Sequence, residues 1–412
     1  MRVLVLSTLY PSPANPVFGV FVHQQVQALA RRGIDVRVIS PVPWAPALLA
    51  QINPKWRMYH AIPQQGALDG IQISYPRFLQ FPRSLFYASS GKRLLYSIAQ
   101  LVDLTYGVFP FDVLHAHVAL PAGYAAMKIA EAYAKPLVVT VHGQDLQTTV
   151  KLNSACASAV GEVLIGATQV VFVSRKLHGL AVSLFGNRSN WRVVPNGTTA
   201  LSRVRRPSLR TASPPLILSV SNLIRSKGID LNLRAVKEIL PKYPDLHYLI
   251  IGDGPERPNL VALTQELGLQ EHVTFLGRRP HDEVMAAMAT CSIFSLPSWQ
   301  EGFGIVYLEA LACGKPVIGC KGEGLADFVV DGVHGRLVAR QALDELVDAM
   351  DDLLSNPARA QEMGERGQQM VSQEYTWDHN AATMARIYEG LVGRQGNGAR
   401  KLFAPEPVRS VM

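Results

Sequence analysis

Two glutamates separated by seven residues, Glu301 and Glu309, are the side chains of this sequence best placed to do chemistry. They lie within SLPSWQEGFGIVYLEALACGKPVIG, where an apolar strand runs into a loop and a helix follows from near Gly304 to Gly314. Glu309 lies about one and a half turns inside that helix, so the two carboxylates have different tasks. Glu301 can reach a reacting centre, and Glu309 can bind a neutral hydroxyl such as that of a ribose. Taken alone, glutamates near a helix start commonly just complement the helix dipole.

Two glycines and the start of this helix predict an anion site close to the glutamates. Gly302 and Gly304 allow the backbone to approach a ligand closely. The first free N–H groups, from Phe303 through Gly304 and Ile305 to Val306, point to the crevice at the C-terminal end of the strand. Amides in this position bind phosphate groups.

Three histidines follow or lie within apolar runs that we interpret as strands. His142 is next to Gly143 at a strand end and is a candidate catalytic residue, with a purely structural polar role as an equal alternative. His115 and His117, at i and i+2, point to the same side of a strand and could bind a metal ion. No third ligand is evident nearby, so the favoured interpretation is that they line a crevice.

The sequence predicts neither a metal nor a cofactor. It contains no Asp-x-Asp pair, the expected ligand of a metal-chelated diphosphate. Gly252 and Gly254 follow a strand and hint at a dinucleotide-binding loop. Arg257 occupies the third glycine position of that motif, so NAD binding is not expected.

The E-x7-E spacing and several other segments, in the same order, resemble retaining glycosyltransferases of family 4, which have the GT-B fold. The resemblance covers about residues 1–392. The segments that carry it are ANPVFGVFVHQQVQALARRGIDV (14–36), TVHGQD (140–145), VVPNGTT (193–199), SVSNLIRSKGID (219–230), IIGDGPE (250–256) and the E-x7-E region itself.

The resemblance implies roles for particular residues. Lys227 would face the donor diphosphate, Glu301 would lie near the sugar as a positioner or a nucleophile, and His142 would bond the sugar or a phosphate oxygen. Asn222 stands where many members have arginine, with Arg225 as its candidate replacement. The implied donor-binding set is Gly19, Asn222, Arg225, Lys227, Gly252, Phe303, Gly304, Ile305, Val306 and Glu309.

The implied activity is that of a retaining, metal-independent glycosyltransferase of the hexosyltransferase type. It would move a sugar from a nucleotide-diphosphate sugar to a glycan or lipid-linked glycan in cell-surface polysaccharide synthesis. The donor is a substrate, and no cofactor is implied. A nucleotide-sugar epimerase with the GT-B fold and a non-catalytic nucleotide-sugar-binding scaffold are the alternatives.

Charge and aromatic content indicate where an acceptor would bind. Residues 1–200 carry 17 Lys and Arg against 7 Asp and Glu, whereas residues 201–412 carry 23 against 25. The basic half also holds an aromatic stretch at about 44–110, which we interpret as a helical insertion. This region suggests a polyprenyl-diphosphate-linked acceptor and an anionic membrane surface as partners, and no nucleic acid. Packing of the insertion against itself is a slightly favoured alternative. The acceptor-side candidates are His117, Arg83, Lys92 and Arg93.

The elements that must position these residues are short apolar strands alternating with helices. Runs that are apolar on both faces mark buried parallel strands, so the fold class is α/β, with two doubly wound parallel-sheet domains. In the GT-B fold these are two Rossmann-like domains facing an interdomain cleft. The runs are at 3–7, 36–40, 137–143, 170–174, 216–221, 248–254, 273–277, 292–297 and 316–320.

Composition shifts define the domain boundaries. We expect an N-terminal acceptor domain at 1–202, a linker at 203–215 and a donor domain at 216–377. A helix at 378–393, with Asp378 as its N-cap, is expected to cross back to the N-terminal domain, and a disordered tail to occupy 394–412.

The cysteine pattern and the apolar runs indicate the compartment. The four cysteines form no CxxC pair and lie in apolar surroundings, which indicates free, buried thiols. The N-terminal apolar run is too short for a signal peptide, and no run approaches the ~18 residues of a membrane span. We therefore expect a cytoplasmic protein, peripheral at the inner face of the membrane.

Overall fold

A computed structural model describes residues 1–44, 46, 51, 54–81, 84–199 and 214–393. The predicted tail at 394–412, all but the last two residues of the predicted linker, and Arg83 lie outside the described residues.

The described chain divides into two compact units, each built on its own sheet. The first unit comprises Met1–Val173, Leu177–Val194 and the described residues from Asn380 onward; the second comprises Ser174–Lys176 and the described residues from Pro195 to His379. Two doubly wound α/β units are what the alternating strand and helix pattern predicted.

The first unit contains an eight-stranded sheet in the order β10-β9-β8-β7-β1-β2-β5-β4, and a two-stranded sheet of β3 and β6. All pairs are parallel except β4 with β5. Its strands are β1 Arg2–Ser7, β2 Asp35–Ile39, β3 Val42–Pro43, β4 Gln65–Leu68, β5 Ile71–Ser74, β6 Arg77–Phe78, β7 Val113–His117, β8 Leu137–Val141, β9 Gln169–Phe172 and β10 Trp191–Val193.

The second unit contains a six-stranded, fully parallel sheet in the order β13-β12-β11-β14-β15-β16. Numbered from its own first strand this order is 3-2-1-4-5-6, the Rossmann arrangement. Its strands are β11 Leu216–Val220, β12 His247–Ile251, β13 Val273–Gly277, β14 Ile293–Ser295, β15 Val317–Cys320 and β16 Gly335–Val338.

Helices connect the parallel strands in both units. Those before residue 200 are α1 Val20–Arg31, α2 Pro54–Ala61, α3 Ser90–Val108, α4 Tyr124–Tyr133, α5 Gln144–Gln147, α6 Ser154–Gly166 and α7 Arg175–Phe185. Those after residue 213 are α8 Ile229–Ile239, α9 Arg257–Glu266, α10 His281–Thr290, α11 Ile305–Ala312, α12 Leu343–Ser355, α13 Pro357–Glu374 and α14 Trp377–Val392.

All nine apolar runs of the sequence form strands, because a strand covered on both faces must be apolar on both faces. Every residue of β7 and β8 is buried. All four cysteines are free, as predicted. Three of them are buried as expected, and Cys313 is only half-buried.

Two sequence interpretations need correction. The stretch at 44–110 is not only a helical insertion, because β5 pairs with β2 and extends the main sheet, with β4 as its antiparallel edge. The last helix begins at Trp377, so Asp378 lies inside its first turn. Its cap is Thr376, whose hydroxyl oxygen accepts the N–H of His379 at 3.3 Å.

Candidate active site

The second unit brings two loops together at the point where its strand order reverses. The loop Ser221–Gly228 follows β11, and the loop Leu296–Gly304 follows β14, the neighbouring strand on the other side. Ligands of doubly wound sheets bind at the carboxyl ends of the strands at such a switch point. The N–H of Trp299 donates to the Ser226 carbonyl at 3.0 Å and joins the two loops directly.

Lys227 and Glu301 form an ion pair across these loops. The Lys227 ammonium donates to Glu301 Oε2 at 2.6 Å, and both side chains are largely buried, with 17% and 14% of their surface exposed. The sequence assigned these residues to different parts of a ligand; the structure places them in contact.

The start of α11 presents backbone amides next to this pair. Gly304 caps the helix with φ +90°, and a Cβ there would lie 2.5 Å from the Tyr307 ring, so only glycine fits without a shift. The N–H groups of Ile305 and Val306 precede the first intrahelical bonds. The Phe303 ring packs on Phe328 at 5.1 Å between centroids, so this residue offers a ligand only its backbone.

Glu309 lies within α11, where burial raises the pKa of its carboxyl to about 7. His281 Nε2 at the start of α10 is 3.7 Å from Glu309 Oε1. Glu309 therefore exchanges a proton near neutral pH, unlike an ordinary surface glutamate.

The first unit has its own switch point, between β1 and β7. Here the loops after β1, β2 and β7 surround a cavity of about 240 Å³. Aromatic, aliphatic, hydroxyl and amide side chains line it, and none of the described lining residues is charged; they include Tyr10, Asn15, Tyr59, Phe78, Gln80 and Tyr87.

The cavity walls are held by hydrogen bonds from behind. Tyr10 Oη bonds His23 Nδ1 at 2.7 Å, and His23 Nε2 bonds Asp69 at 2.9 Å. The Tyr87 hydroxyl donates to the Leu120 carbonyl at 3.1 Å. Val118 in the wall has φ +70°, a strained backbone for a β-branched residue, which the surrounding contacts maintain.

Two histidines are paired at the carboxyl ends of β7 and β8. His117 Nδ1 and His142 Nε2 are 2.9 Å apart, with the rings stacked at 5.2 Å between centroids. Burial lowers the pKa of His142 to about 3 and that of His117 well below its usual value. Both rings are therefore neutral at physiological pH.

His115 lies behind this pair and contacts the last helix. Its Nε2 bonds Thr140 Oγ1 at 2.8 Å, and its Nδ1 bonds the hydroxyl of Tyr388 in α14 at 2.8 Å. Burial lowers its pKa to about 3 as well.

Three buried polar atoms near this pair have no hydrogen-bond partner within the described chain: His117 Nε2, His142 Nδ1 and Asp145 Oδ2. The other Asp145 oxygen accepts the N–H of Ala119 at 2.7 Å, and burial raises the pKa of this carboxyl to about 6. Buried polar atoms without partners are uncommon and mark positions where a ligand can supply the bond. Sequence reasoning did not single out Asp145, although TVHGQD ends on it.

The sequence matches two family profiles, Glycosyltransferase Family 4 over residues 18–200 and Glycosyl transferases group 1 over residues 202–370. A putative teichuronic acid biosynthesis glycosyltransferase, TuaC of Bacillus subtilis, is 30% identical over 361 residues, which cover 84% of this chain and 88% of the relative. The chain belongs to glycosyltransferase family 4.

Two further similarities agree with this family. A GDP-mannose-dependent phosphatidylinositol monomannoside mannosyltransferase of Mycolicibacterium smegmatis is 28% identical over 82% of this chain and 89% of the relative. Sucrose-phosphate synthase of Thermosynechococcus elongatus is 20% identical with a TM-score of 0.79, over 96% of this chain and all of that one, and shows the GT-B fold. The protein is thus a glycosyltransferase.

The other residues predicted to bind the donor differ in burial and in the unit to which they belong. Gly252, with φ +135°, is required by packing, because a Cβ there would lie 1.8 Å from the Ser221 carbonyl oxygen. Asn222 and Arg225 are exposed, and Arg225 lines a groove with Trp299. Gly19 belongs to the first unit, where it caps α1 and a Cβ would lie 2.4 Å from the Leu9 backbone.

Lys92 and Arg93, the two described cations predicted to contact an acceptor, differ in how exposed their side chains are. Lys92 is exposed on α3. The Arg93 side chain instead holds a neighbouring loop in place. It donates to the carbonyls of Leu79 and Phe86, and its guanidinium lies 5.0 Å from the Phe81 ring centroid. Partial burial lowers its pKa. Arg93 therefore already has partners within the protein, and its role toward an acceptor stays a prediction.

The described part of the glycosyltransferase contains no cluster of three or more His, Cys, Asp or Glu side chains that could hold a metal ion.

None of the described helices is long and apolar enough to span a bilayer.

Proposed function

We propose that this glycosyltransferase moves a hexosyl group from a nucleotide-diphosphate sugar to a glycan or lipid-linked glycan, with retention at the anomeric carbon and without a metal. The observation that carries the proposal is the Lys227–Glu301 pair, located at the switch point beside the first amides of α11.

Lys227 and the α11 amides are the groups that neutralise the leaving diphosphate. Cleavage of the anomeric C–O bond leaves the electron pair, and the negative charge, on the phosphate oxygen. An ammonium and oriented N–H groups stabilise such charge without reorganising during the reaction. The Lys227 ammonium supplies the positive charge that a metal provides in other sites. The N–H groups of Ile305 and Val306 add partial positive charge at the start of the helix.

Donor binding changes the Lys227–Glu301 contact. A diphosphate competes with the Glu301 carboxylate for the same ammonium, which leaves the carboxylate available to the sugar. We assign Glu301 the role of positioning the sugar and stabilising its oxocarbenium-like charge. The acceptor hydroxyl attacks from the face that the diphosphate leaves, and its proton passes to the leaving phosphate oxygen. Glu309, within the same helix, accepts hydrogen bonds from the ribose hydroxyls.

The acceptor binds in the cavity of the first unit. Aromatic rings and neutral hydroxyl and amide groups suit an uncharged sugar ring, whose faces are apolar and whose rim carries hydroxyls. The names of two relatives support a glycan or lipid-linked glycan as acceptor: one is a putative teichuronic acid biosynthesis glycosyltransferase, and the other is a phosphatidylinositol monomannoside mannosyltransferase. His142 contacts a substrate hydroxyl through Nδ1, as a neutral imidazole.

The protein associates peripherally with an anionic membrane from the cytoplasmic side. Three large apolar side chains near Lys92 are unusually exposed: Leu85 by 55%, Phe86 by 71% and Tyr96 by 74%. Apolar groups beside a cation suit the interface of an anionic bilayer. Vesicle pelleting tests this, with Phe86→Ser expected to weaken binding and Val330→Ser, an equally apolar exposed site of the second unit, expected to have no effect.

A donor screen tests the central proposal. The purified protein is offered UDP-, GDP- and ADP-sugars in EDTA, and binding is measured by calorimetry and nucleotide release by chromatography. We expect one nucleotide series to bind, and Lys227→Met to bind it about 100-fold more weakly. Lys242→Met, which removes an exposed ion pair with Asp351, serves as the control.

The product distinguishes the proposal from its alternatives. NMR of the anomeric proton of the transferred sugar should show the donor configuration. Binding without turnover would favour a nucleotide-sugar-binding scaffold, and an isomerised nucleotide sugar would favour an epimerase. Dependence of transfer on added Mg²⁺ or Mn²⁺ would contradict metal independence.

A further inference from the structure

The loop that carries Glu301 rests on a second carboxylate, that of Glu323. The backbone N–H of Glu301 donates to Glu323 Oε2 at 2.6 Å. Glu323 follows β15 and has only 11% of its side chain exposed. A charge-assisted bond of this length is among the stronger contacts available to a backbone amide.

The next residue allows this approach. A Cβ at Gly324 would lie 2.4 Å from the Gly302 carbonyl oxygen and 2.6 Å from the Phe303 Cα. Neither neighbour is a flexible side-chain end, so any larger residue would displace the loop. Glu323 and Gly324 together form a cradle under residues 301–303.

A lysine completes the support. Lys176, which groups with the second unit, donates to the Glu301 carbonyl oxygen at 3.2 Å and pairs with the same Glu323 oxygen. Both backbone polar groups of Glu301 are thus held, the N–H by a carboxylate and the carbonyl by an ammonium. This arrangement fixes the position from which the Glu301 side chain reaches Lys227.

We infer that Glu323 is a positioning residue for the reaction: it holds the backbone of Glu301 so that the Glu301 carboxylate meets Lys227 and the donor sugar in one geometry. This inference rests on the proposed role of Glu301. Glu323 acts through the backbone of the loop. A small displacement of a reacting group lowers the reaction rate strongly, so a residue that holds Glu301 in place can have a large effect on the rate.

Two nearly isosteric variants test the inference. Glu323→Gln keeps an oxygen that can accept the Glu301 N–H, whereas Glu323→Met fills the same space without an acceptor. Hydrogen–deuterium exchange of the full chain, read on a peptide containing Glu301, reports the bond directly. We expect exchange at least about 10-fold faster in Glu323→Met, and within about threefold of wild type in Glu323→Gln.

Donor affinity and turnover provide the readout that a general structural role would not produce. In Glu323→Met we expect the nucleotide Kd to stay within about threefold, because Lys227 and the α11 amides remain, and donor turnover to fall about 10- to 100-fold. Glu323→Gln should restore most of the rate.

The outcomes separate this inference from the proposed function. Equal exchange and equal turnover in the two variants would overturn the positioning role while leaving the proposed function intact. A parallel loss of nucleotide affinity and turnover would also overturn it, because Glu323 would then support donor binding generally. Failure of the wild-type protein to bind any nucleotide sugar would instead reject the proposed function.

Discussion

Both units have a point where the strand order reverses, but the side chains located there are charged in the second unit and neutral in the first. In the second unit, the groups at the switch point are charged: Lys227 pairs with Glu301, and Glu323 supports the same loop. In the first unit, the corresponding position holds the neutral pair His117–His142 beside a cavity whose described lining carries no charge.

This difference matches the two substrates of a glycosyl transfer. The donor diphosphate gains charge as the bond breaks, so its site needs fixed charges in a partly dry environment. The acceptor contributes a hydroxyl group, and a site of imidazoles, amides and aromatic rings can hold it without competing for the diphosphate. Under the proposed function, the location of charge, more than the fold, distinguishes the donor site from the acceptor site.

The largest expected effect is on Glu301. Glu301→Gln keeps size and hydrogen bonding but removes the charge, so donor turnover should fall about 1,000-fold, or about 4 kcal/mol of transition-state stabilisation. Gln300→Glu, the reverse change at the adjacent exposed position, should have less than about a threefold effect. Steady-state nucleotide release measures both. A loss under about 10-fold in Glu301→Gln would show that charge at this position is not used.

Acid should destabilise the first unit more than the second. The unfolded chain protonates His115 and His142 below pH about 6.5, whereas the folded chain holds them neutral down to about 3. Their contribution is therefore fully present above pH 6.5 and is lost as the pH falls. At pH 5 the loss for the two together is about 4 kcal/mol.

Exchange measurements resolve the two units in the intact protein. Peptides from β7 and β8 should lose protection at lower urea concentration at pH 5 than at pH 7, after correction for intrinsic exchange rates. Peptides from β14 and β15 should shift less. Equal shifts in both units would mean that the buried histidines do not set the acid sensitivity of the first unit.

Glu309 gives the second unit the opposite pH dependence. Its pKa of about 7, against 4.5 for an exposed glutamate, means that ionisation costs folding energy as the pH rises between these values. Glu309→Gln removes that cost, so it should stabilise the protein by about 3 kcal/mol at pH 8 and by less than about 1 kcal/mol at pH 5. Urea denaturation at both pH values measures this, with the exposed Glu266→Gln as control. Equal effects at the two pH values would contradict it.

Much of this fold could be predicted because parallel strands leave a strong local signal. Runs such as Leu137–Val141 are apolar throughout since both faces are buried. The strands that were missed are short, and the edge strand β4 and its neighbour β5 contain exposed residues that break the apolar pattern. The pairing of β5 with β2, and of β4 with β5, depends on tertiary contacts that no local pattern reveals.

The sequence singled out Lys227 and Glu301 as candidate site residues, but it did not predict that they contact each other. Lys227 and Glu301 are 74 positions apart, and their ion pair follows only once the order of β11 and β14 is known. The carbonyl partners of Arg93 were not predicted, because they belong to a loop whose conformation the sequence does not specify. Glu323 was missed because its partner is a backbone amide 22 residues away, and a bond to a backbone requires no particular side chain there.

A weaker effect tests whether the proposed acceptor cavity must stay neutral. Gln80 lines the cavity, and Gln80→Glu changes its charge with almost no change in volume. If the acceptor is a neutral sugar, a carboxylate at this position cannot donate a hydrogen bond to its hydroxyls. The carboxylate must also lose bound water when the sugar binds, which weakens binding. The acceptor KM should then rise about fivefold to 10-fold, or about 1 kcal/mol, with the nucleotide Kd unchanged. Gln80→Met, which removes the amide without adding charge, should have a smaller effect. A lower acceptor KM in Gln80→Glu would contradict the proposed difference between the two units, because the first unit would then prefer an acceptor that carries positive charge.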